Sequence, residues 1–108
     1  MVDVAERLAH LIPADRVAEF CRRWEVAELS LFGSVLRDDF MSDSDVDVLV
    51  SFSSTAPWSL WDLTAMEDEL AAIVGRKVQL VEKEALQNPF RRGYILRGRK
   101  VIYVGAQG

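Results

Sequence analysis

The segment LFGSVLRDDFMSDSDVDVLVSF, from Leu31 to Phe52, constrains the fold of this chain more than any other part of it. A Gly-Ser pair lies near its start, a valine-rich run ends it, and five aspartates lie between the pair and the end of that run. Like charges packed this closely repel one another, and a fold alone does not need them. The segment therefore indicates that some of these carboxylates hold a ligand.

The last two aspartates begin DVDVLVSF, which has the alternation of a β-strand. Side chains two residues apart in a strand lie on one face, so Asp45 and Asp47 point the same way, with Cα atoms about 6.5–7 Å apart. The alternating valines between and after them point toward a core. Paired carboxylates raise each other's pKa unless a cation lies between them. Mg²⁺ suits such a pair because it favours one or two carboxylates together with phosphate oxygens.

The Gly-Ser pair lies between a predicted strand, VAELSLFGS, and a short helical turn, SVLR. Gly33 permits close approach of the backbone, and Ser34 offers a hydroxyl and free N–H groups at the start of the turn, which together suit a phosphate. A phosphate site beside metal-binding carboxylates is the equipment of phosphoryl or nucleotidyl transfer. Two plainer interpretations remain open here. Ser34 can be a helix cap, and a solvated loop is the better interpretation of Asp38, Asp39 and Asp43.

The rest of the sequence predicts helices and strands in mixed order. Helices are expected over Val4 to Leu11, from Pro13 to about Trp24, over LWDLTAMEDELAAIV and around NPFRRGYIL, and strands over VAELSLF, DVDVLVSF, KVQLVE and KVIYV. Ser59 with Asp62 resembles a capping box, and Gly75 is a suitable C-terminal stop for the third helix. This order predicts a single α/β (α+β) domain over residues 1–108, with a small mixed sheet of about four strands and helices mainly on one face.

Apolar residues at helical spacing give candidate core faces for two of these helices. The second helix is expected to bury Val17, Phe20, Cys21 and Trp24. The third is expected to bury Leu60, Leu63, Met66, Leu70 and Ile73 or Val74. Cys21 is then a packed hydrophobic residue and not a nucleophile. His10 has no metal-ligand neighbours in the sequence and is expected at the surface or at a helix end.

Composition excludes several classes of function. The 108 residues carry a formal net charge of −4, which argues against general nucleic-acid binding. No apolar run approaches the roughly 20 residues that span a bilayer, and the acids near the N-terminus are unlike a signal peptide. Cys21 is the only cysteine, so no internal disulfide can form, and the cytosol is the expected compartment.

The charge is nevertheless uneven along the chain. The segment NPFRRGYILRGRK holds five basic residues and no acid, whereas the middle of the chain is acidic. An acidic centre beside a basic tail suits a metal site next to an anionic ligand, or a docking face. For the tail alone, a solvated charged surface is an equally good interpretation.

The segment FGSVLRDDFMSDSDVDVLV resembles the signature of the minimal nucleotidyltransferase domain, a small branch of the DNA polymerase beta-like nucleotidyltransferases. That signature is Gly-Ser, about ten residues, and then Asp-x-Asp. The likeness extends through SLWDLTAMEDELAAIVGRKVQLVEKEAL and covers roughly Leu29 to Val104. It implies a nucleotidyltransferase fold in which Gly33 and Ser34 hold the triphosphate of ATP, and Asp45 and Asp47 bind Mg²⁺ and act as the catalytic pair.

Two further positions are less clear from the resemblance. Arg37 lies where the family often has a basic residue and could meet a phosphate, but a salt bridge to Asp38 or Asp39 explains it equally well. The family's third carboxylate lies in a pattern like Val-Asp-Leu-Val, and Gln79 stands at that position here. Glutamine can offer a carbonyl oxygen to a metal but cannot act as a base.

The replacement by Gln79 makes its position the sharpest test of the resemblance. Strand alternation places Lys77, Gln79 and Val81 on one face, which is predicted to meet the face of the aspartate pair. By the same alternation Glu82 points away. Glu84, just past the strand, could supply the missing carboxylate only if the chain curls back.

Members of this family commonly act as antitoxins of HEPN-domain RNase toxins, so the resemblance implies transfer of AMP from ATP to a tyrosine of such a partner, in a hetero-oligomer. Two alternatives stay open. One is a non-catalytic module that neutralises the toxin by binding, with Trp58, Trp61 and the basic tail as interface residues. The other is a nucleotidyltransferase that acts on a small molecule or RNA.

Overall fold

The computed structural model describes residues 3–105 and shows helices and strands in the predicted order. Within this range the helices are α1 (Val4–Leu11), α2 (Ala14–Arg23), α3 (Leu60–Val74) and α4 (Pro89–Gly98). The strands are β1 (Val26–Phe32), β2 (Val46–Phe52), β3 (Val78–Glu82) and β4 (Lys100–Val104). Short 3₁₀ turns follow β1 (Gly33–Leu36) and β3 (Lys83–Ala85). None of the described helices is long and apolar enough to span a bilayer.

The four strands form one mixed sheet in the order β3-β2-β1-β4. The pairs β1–β2 and β1–β4 are antiparallel, and β2–β3 is parallel, with α3 as the crossover between them. The register aligns Phe32 with Asp47 and Asp47 with Gln79 across three adjacent strands. The predicted α+β class with a small mixed sheet is confirmed.

The helices divide unequally between the two faces of the sheet. Residues of α1, α2 and α3 pack with the valines of β2 and with Leu29 and Leu31 in the main core. On the opposite face α4 contributes Ile95 to a small cluster with Leu49 and Leu86. The expectation of helices mainly on one face is confirmed. The small cluster covers the middle of the second face, and the end that carries Asp47 lies beyond it.

The two ends of α3 follow the predicted capping chemistry, and α4 also begins with a side-chain cap. The Ser59 side chain accepts a hydrogen bond from the Asp62 backbone N–H while the Asp62 carboxylate accepts one from the Ser59 backbone N–H, which is a complete capping box. Gly75 ends α3 with φ of 82°, a left-handed conformation in which a side chain would be strained. The Asn88 side chain accepts hydrogen bonds from the backbone N–H groups of Phe90 and Arg91 at the start of α4.

The prediction that Leu60 lies on the inner face of α3 is wrong, because its side chain is 80% exposed. Met66 and Leu70 are the buried residues of this helix, and Leu63 packs against the core beside them. At about 100° per residue, Leu60 lies roughly 90° from the centre of that face. Leu60 was assigned to the buried face of α3 because it is apolar. The helical period used for the other residues of that face was correct.

The second helix buries its face as predicted, with one residue in a mixed position. Val17, Phe20 and Cys21 are buried, and Trp24 is half-buried. The Trp58 indole N–H donates to the Trp24 carbonyl at 2.6 Å, and the two rings pack edge to face, 4.9 Å apart. Trp58 therefore supports the fold, which leaves Trp61, 85% exposed, as the tryptophan available to a partner.

Candidate functional site

The turn after β1 approaches Asp47 closely at Gly33. Gly33 has φ of 77°, and a Cβ placed on it would overlap Asp47 Oδ2 and lie 3.2 Å from Asp47 Cγ. A side chain at position 33 would therefore be strained by the left-handed backbone and would displace the Asp47 carboxylate. The Gly-Ser turn and the aspartate pair, well separated in sequence, form one site.

Two neighbouring strands place the predicted site residues side by side. Asp45 directly precedes β2, Asp47 is its second residue, and Gln79 is aligned with Asp47 on parallel β3. Side chains aligned across adjacent strands lie on the same face of a sheet. The predicted meeting of the two faces is confirmed. Gln79 occupies the position beside Asp47 that the resemblance gives to a third carboxylate.

The environment of Asp47 disfavours its own charge. Burial raises the pKa of Asp47, and the Asp45 carboxylate raises it further. The positive charges of Arg37 and Arg91 act in the opposite direction and lower this pKa. A bound cation would act as the two arginines do, only more strongly, so the pair is suited to a divalent metal.

Ser34 and Arg37 complete the turn. The Ser34 carbonyl accepts a hydrogen bond from the Arg37 backbone N–H at 2.9 Å, and no side chain caps the turn. The helix-cap interpretation of the Ser34 hydroxyl is therefore not supported. Arg37 forms the expected salt bridge to Asp39, at 3.1 Å, and its charge also acts on Asp47. Asp38, Asp39 and Asp43 are exposed, as expected for a solvated loop.

The loop between the turn and β2 is held by two arginines. Arg7 donates to the carbonyls of Val35 and Arg37, at 2.9 and 2.8 Å. Arg76 donates to the carbonyls of Met41 and Ser44, at 3.0 and 3.1 Å. Both guanidinium groups lie over the ring of Phe40 (Arg7 at 5.1 Å and Arg76 at 4.6 Å from its centroid). These contacts from α1 and from the end of α3 fix the approach of the chain to Asp45.

Glu84 does not supply the missing carboxylate. Its carboxylate accepts a hydrogen bond from the Ser51 hydroxyl at 2.7 Å. Ser51 lies four residues beyond Asp47 on β2, about 13 Å along the strand. Among the described residues, no group of three or more His, Cys, Asp or Glu side chains is placed to hold a metal ion. The polar groups that the structure brings together at this end of the sheet are the aspartate pair and the neutral Gln79 amide.

Sequence reasoning did not identify the contribution of α4. Arg91, in its first turn, acts on the pKa of Asp47, and Tyr94 and Arg97 line a cavity of about 360 Å³ that also touches Gly33 and Arg37. The basic tail had suggested an anionic ligand beside the acidic centre. Charge alone did not indicate which of its residues face the site.

Comparison with known proteins decides the family. The model of the nucleotidyltransferase domain matches residues 15–102. The chain belongs to the nucleotidyltransferase domain family. The protein adenylyltransferase MntA of Thermococcus cleftensis is 36% identical to this nucleotidyltransferase over 86 residues, which are 80% of this chain and 82% of that protein.

Solved structures share the nucleotidyltransferase fold of this chain. A candidate minimal nucleotidyltransferase superposes with a TM-score of 0.69 at 28% identity, over 92% of this chain and 95% of that one. The MNT antitoxin in complex with a tri-AMPylated HEPN toxin of Shewanella oneidensis matches with a TM-score of 0.61 at 17% identity, over 87% and 71% of the two chains. The second similarity concerns the fold alone.

Proposed function

We propose that this nucleotidyltransferase is an antitoxin that transfers AMP from ATP to a tyrosine of a HEPN-domain toxin, with Mg²⁺ as cofactor, in the cytosol. The observation that carries the proposal is the row formed by Gly33, Asp47 and Gln79 beside the Asp45 carboxylate. The name of the Thermococcus relative, a protein adenylyltransferase, supports a protein acceptor. The AMPylated HEPN toxin bound by its MNT antitoxin supports the kind of partner.

In this proposal the chain supplies binding and charge. Gly33 and Ser34 present the backbone and a hydroxyl to the triphosphate, and Arg37 and Arg91 offset its negative charge. Asp45 and Asp47 would hold Mg²⁺, which neutralises phosphate charge when it is bound. The acceptor hydroxyl attacks the α-phosphorus in line, and pyrophosphate leaves.

The acceptor's proton has no carboxylate base at position 79. Gln79 can orient the acceptor through its amide, but the proton must pass to water, to an aspartate or to a group on the partner protein. Loss of a general base costs about 10²–10⁴-fold in rate. A slow transfer still suffices when each toxin molecule needs to be modified only once.

The same residue favours a second candidate function. With Gln79 at the third position, the chain could neutralise its partner by binding alone, through exposed residues such as Trp61. The two functions differ in whether a covalent bond forms.

The deciding experiment incubates the protein with a HEPN-domain partner from the same genome, Mg²⁺ and ATP labelled at the α-phosphate. Label on the partner supports the transferase. A stable complex without label supports neutralisation by binding, and neither label nor complex overturns both proposals.

Two variants control the labelling experiment. Asp45→Asn with Asp47→Asn should abolish labelling. Asp38→Asn with Asp43→Asn removes the same charge from exposed loop positions and should leave labelling intact. Equal labelling by the first variant and the parent would show that the aspartate pair is not the catalytic pair.

A further inference from the structure

A cavity of about 360 Å³ opens between the Gly33–Leu36 turn and α4. One wall contains Gly33, Leu36 and Arg37, and the other contains Tyr94, Ile95 and Arg97. Because Gly33 is in contact with Asp47, this cavity continues directly from the metal and phosphate end of the site.

The lining combines apolar and cationic groups. Phe32, Leu36 and Ile95 provide apolar surface, and Ile95 is itself a buried residue of the small cluster. Arg37 and Arg97 provide guanidinium groups, and Tyr94 provides an aromatic ring that is 67% exposed. A chain of phosphates gains nothing from the apolar surface. A flat heteroaromatic ring attached to a phosphate can use all three kinds of group.

The Arg97 side chain lies over a glycine inside α4. A Cβ at Gly93 would lie 2.9 Å from Arg97 Nη1, so the guanidinium lies directly over the glycine, one turn back along the helix. Glycine in a helix interior is destabilising relative to alanine, yet here it provides the room for this side chain. Among residues 3–105, no carboxylate lies within 4.0 Å of the Arg97 guanidinium, so its charge is open to a ligand.

We propose that this cavity binds the nucleobase of the nucleoside triphosphate, with Tyr94 and Arg97 as the residues that stack on the base. The inference rests on the proposed function, because it assumes that the triphosphate lies along the Gly33–Ser34 turn. With the phosphates there, the sugar and base extend past Arg37 toward α4. Tyr94 and Arg97 then determine affinity for the base, whereas affinity for the phosphates depends on the Gly33–Ser34 turn and on Arg91.

The test compares the binding of ATP and of inorganic tripolyphosphate, both with Mg²⁺, to the full chain by calorimetry. Loss of one base–aromatic stack weakens binding by about 5- to 150-fold. Tyr94→Ala should therefore weaken ATP binding in this range and leave tripolyphosphate binding within twofold of the parent. Phe90→Ala is the matched control, because Phe90 is an 86% exposed aromatic residue of the same helix that does not line the cavity.

Substitution of Arg97 gives an independent test of the same inference. Arg97→Met should weaken ATP binding more than tripolyphosphate binding. The inference is overturned if Tyr94→Ala and Arg97→Met bind ATP as tightly as the parent does, or if they weaken the binding of ATP and of tripolyphosphate equally. Either result leaves the proposed function standing. A parent protein that binds neither ligand overturns the proposed function itself.

Discussion

The protein fold around Asp47 disfavours its carboxylate form. Burial and Asp45 raise its pKa, so the folded state binds a proton at this position more tightly than the unfolded chain does. Its charge therefore lowers the free energy of unfolding as pH rises from about 4, the ordinary pKa of an aspartate, through the raised value. This decrease in the free energy of unfolding is complete above the raised pKa and absent at low pH.

This sign gives a test without divalent cations. Between pH 4 and 7, urea denaturation should show the parent losing stability relative to Asp45→Asn with Asp47→Asn, which lacks both charges. Mg²⁺ with ATP should stabilise the parent at pH 7 and not the variant, because the ligand binds only the folded state of the parent. If the free energies of unfolding of the two proteins change with pH in parallel, the charges of Asp45 and Asp47 do not destabilise the folded state.

Gln79 can be replaced by the carboxylate that the family resemblance gives to this position. Gln79→Asp places a third carboxylate beside Asp47, so it should speed AMP transfer by up to about 10²–10⁴-fold if a base is the only missing element. It should also raise the Mg²⁺ concentration needed for half-maximal rate, since three carboxylates repel more strongly than two. Rates are measured in single turnover. A slower variant would mean that the site works with a neutral amide and that the proton leaves by another route.

Strand alternation was sufficient to predict that Asp45 and Asp47 share one face, because the period of a strand fixes which face each residue occupies. The position of Gln79 beside them was predicted from the family resemblance. Neither was sufficient for Arg91, Tyr94 and Arg97. Their positions depend on how α4 packs through Ile95 against Leu49, a contact between distant parts of the chain. No local pattern in the basic tail records that contact.

The loop over residues 37–45 is held by Arg76 together with Arg7. Arg76 donates two hydrogen bonds to its carbonyls and lies over Phe40. Arg76→Met keeps the aliphatic stem and removes the donors, so it should lower the free energy of unfolding by about 1–3 kcal/mol. Hydrogen exchange should quicken in the loop before it quickens in β2, and Mg²⁺-ATP affinity should fall.

Arg16 offers a control for this change. It is an exposed arginine of α2 for which the described structure shows no side-chain hydrogen bond or ion pair, so Arg16→Met should be nearly neutral. If Arg76→Met is as stable as Arg16→Met and exchanges no faster in the loop, Arg76 does not hold the loop.

Cys21 reports on the opening of the whole molecule. It is fully buried between α2 and the sheet, and burial raises its thiol pKa to about 12. Because the thiolate is the reactive form, the folded protein should resist alkylation at pH 8. The labelling rate should rise with urea along the same slope as global unfolding, measured by circular dichroism. Labelling of the native protein at the rate of a free thiol would refute this picture of the core.

At the level of the whole fold, the sequence predicted every helix and strand of residues 3–105 and the mixed sheet. Capping residues, strand alternation and short connections are local signals, and they agree with one another along this chain. The placement of α4 alone on the second face was not predicted, because it depends on the small cluster of Leu49, Leu86 and Ile95.

The parallel pairing of β2 with β3 has a consequence for tolerance of insertions and deletions. Because α3 carries the chain from one strand to the other, the residue that stands beside Asp47 is determined by the number of residues between the two strands. A deletion or insertion of one residue in the turn from Gly75 to Lys77 would present Val78 or Leu80 at the site, or force β3 to expose its core face. Exposed residues of α3 can therefore vary in identity far more freely than this segment can vary in length.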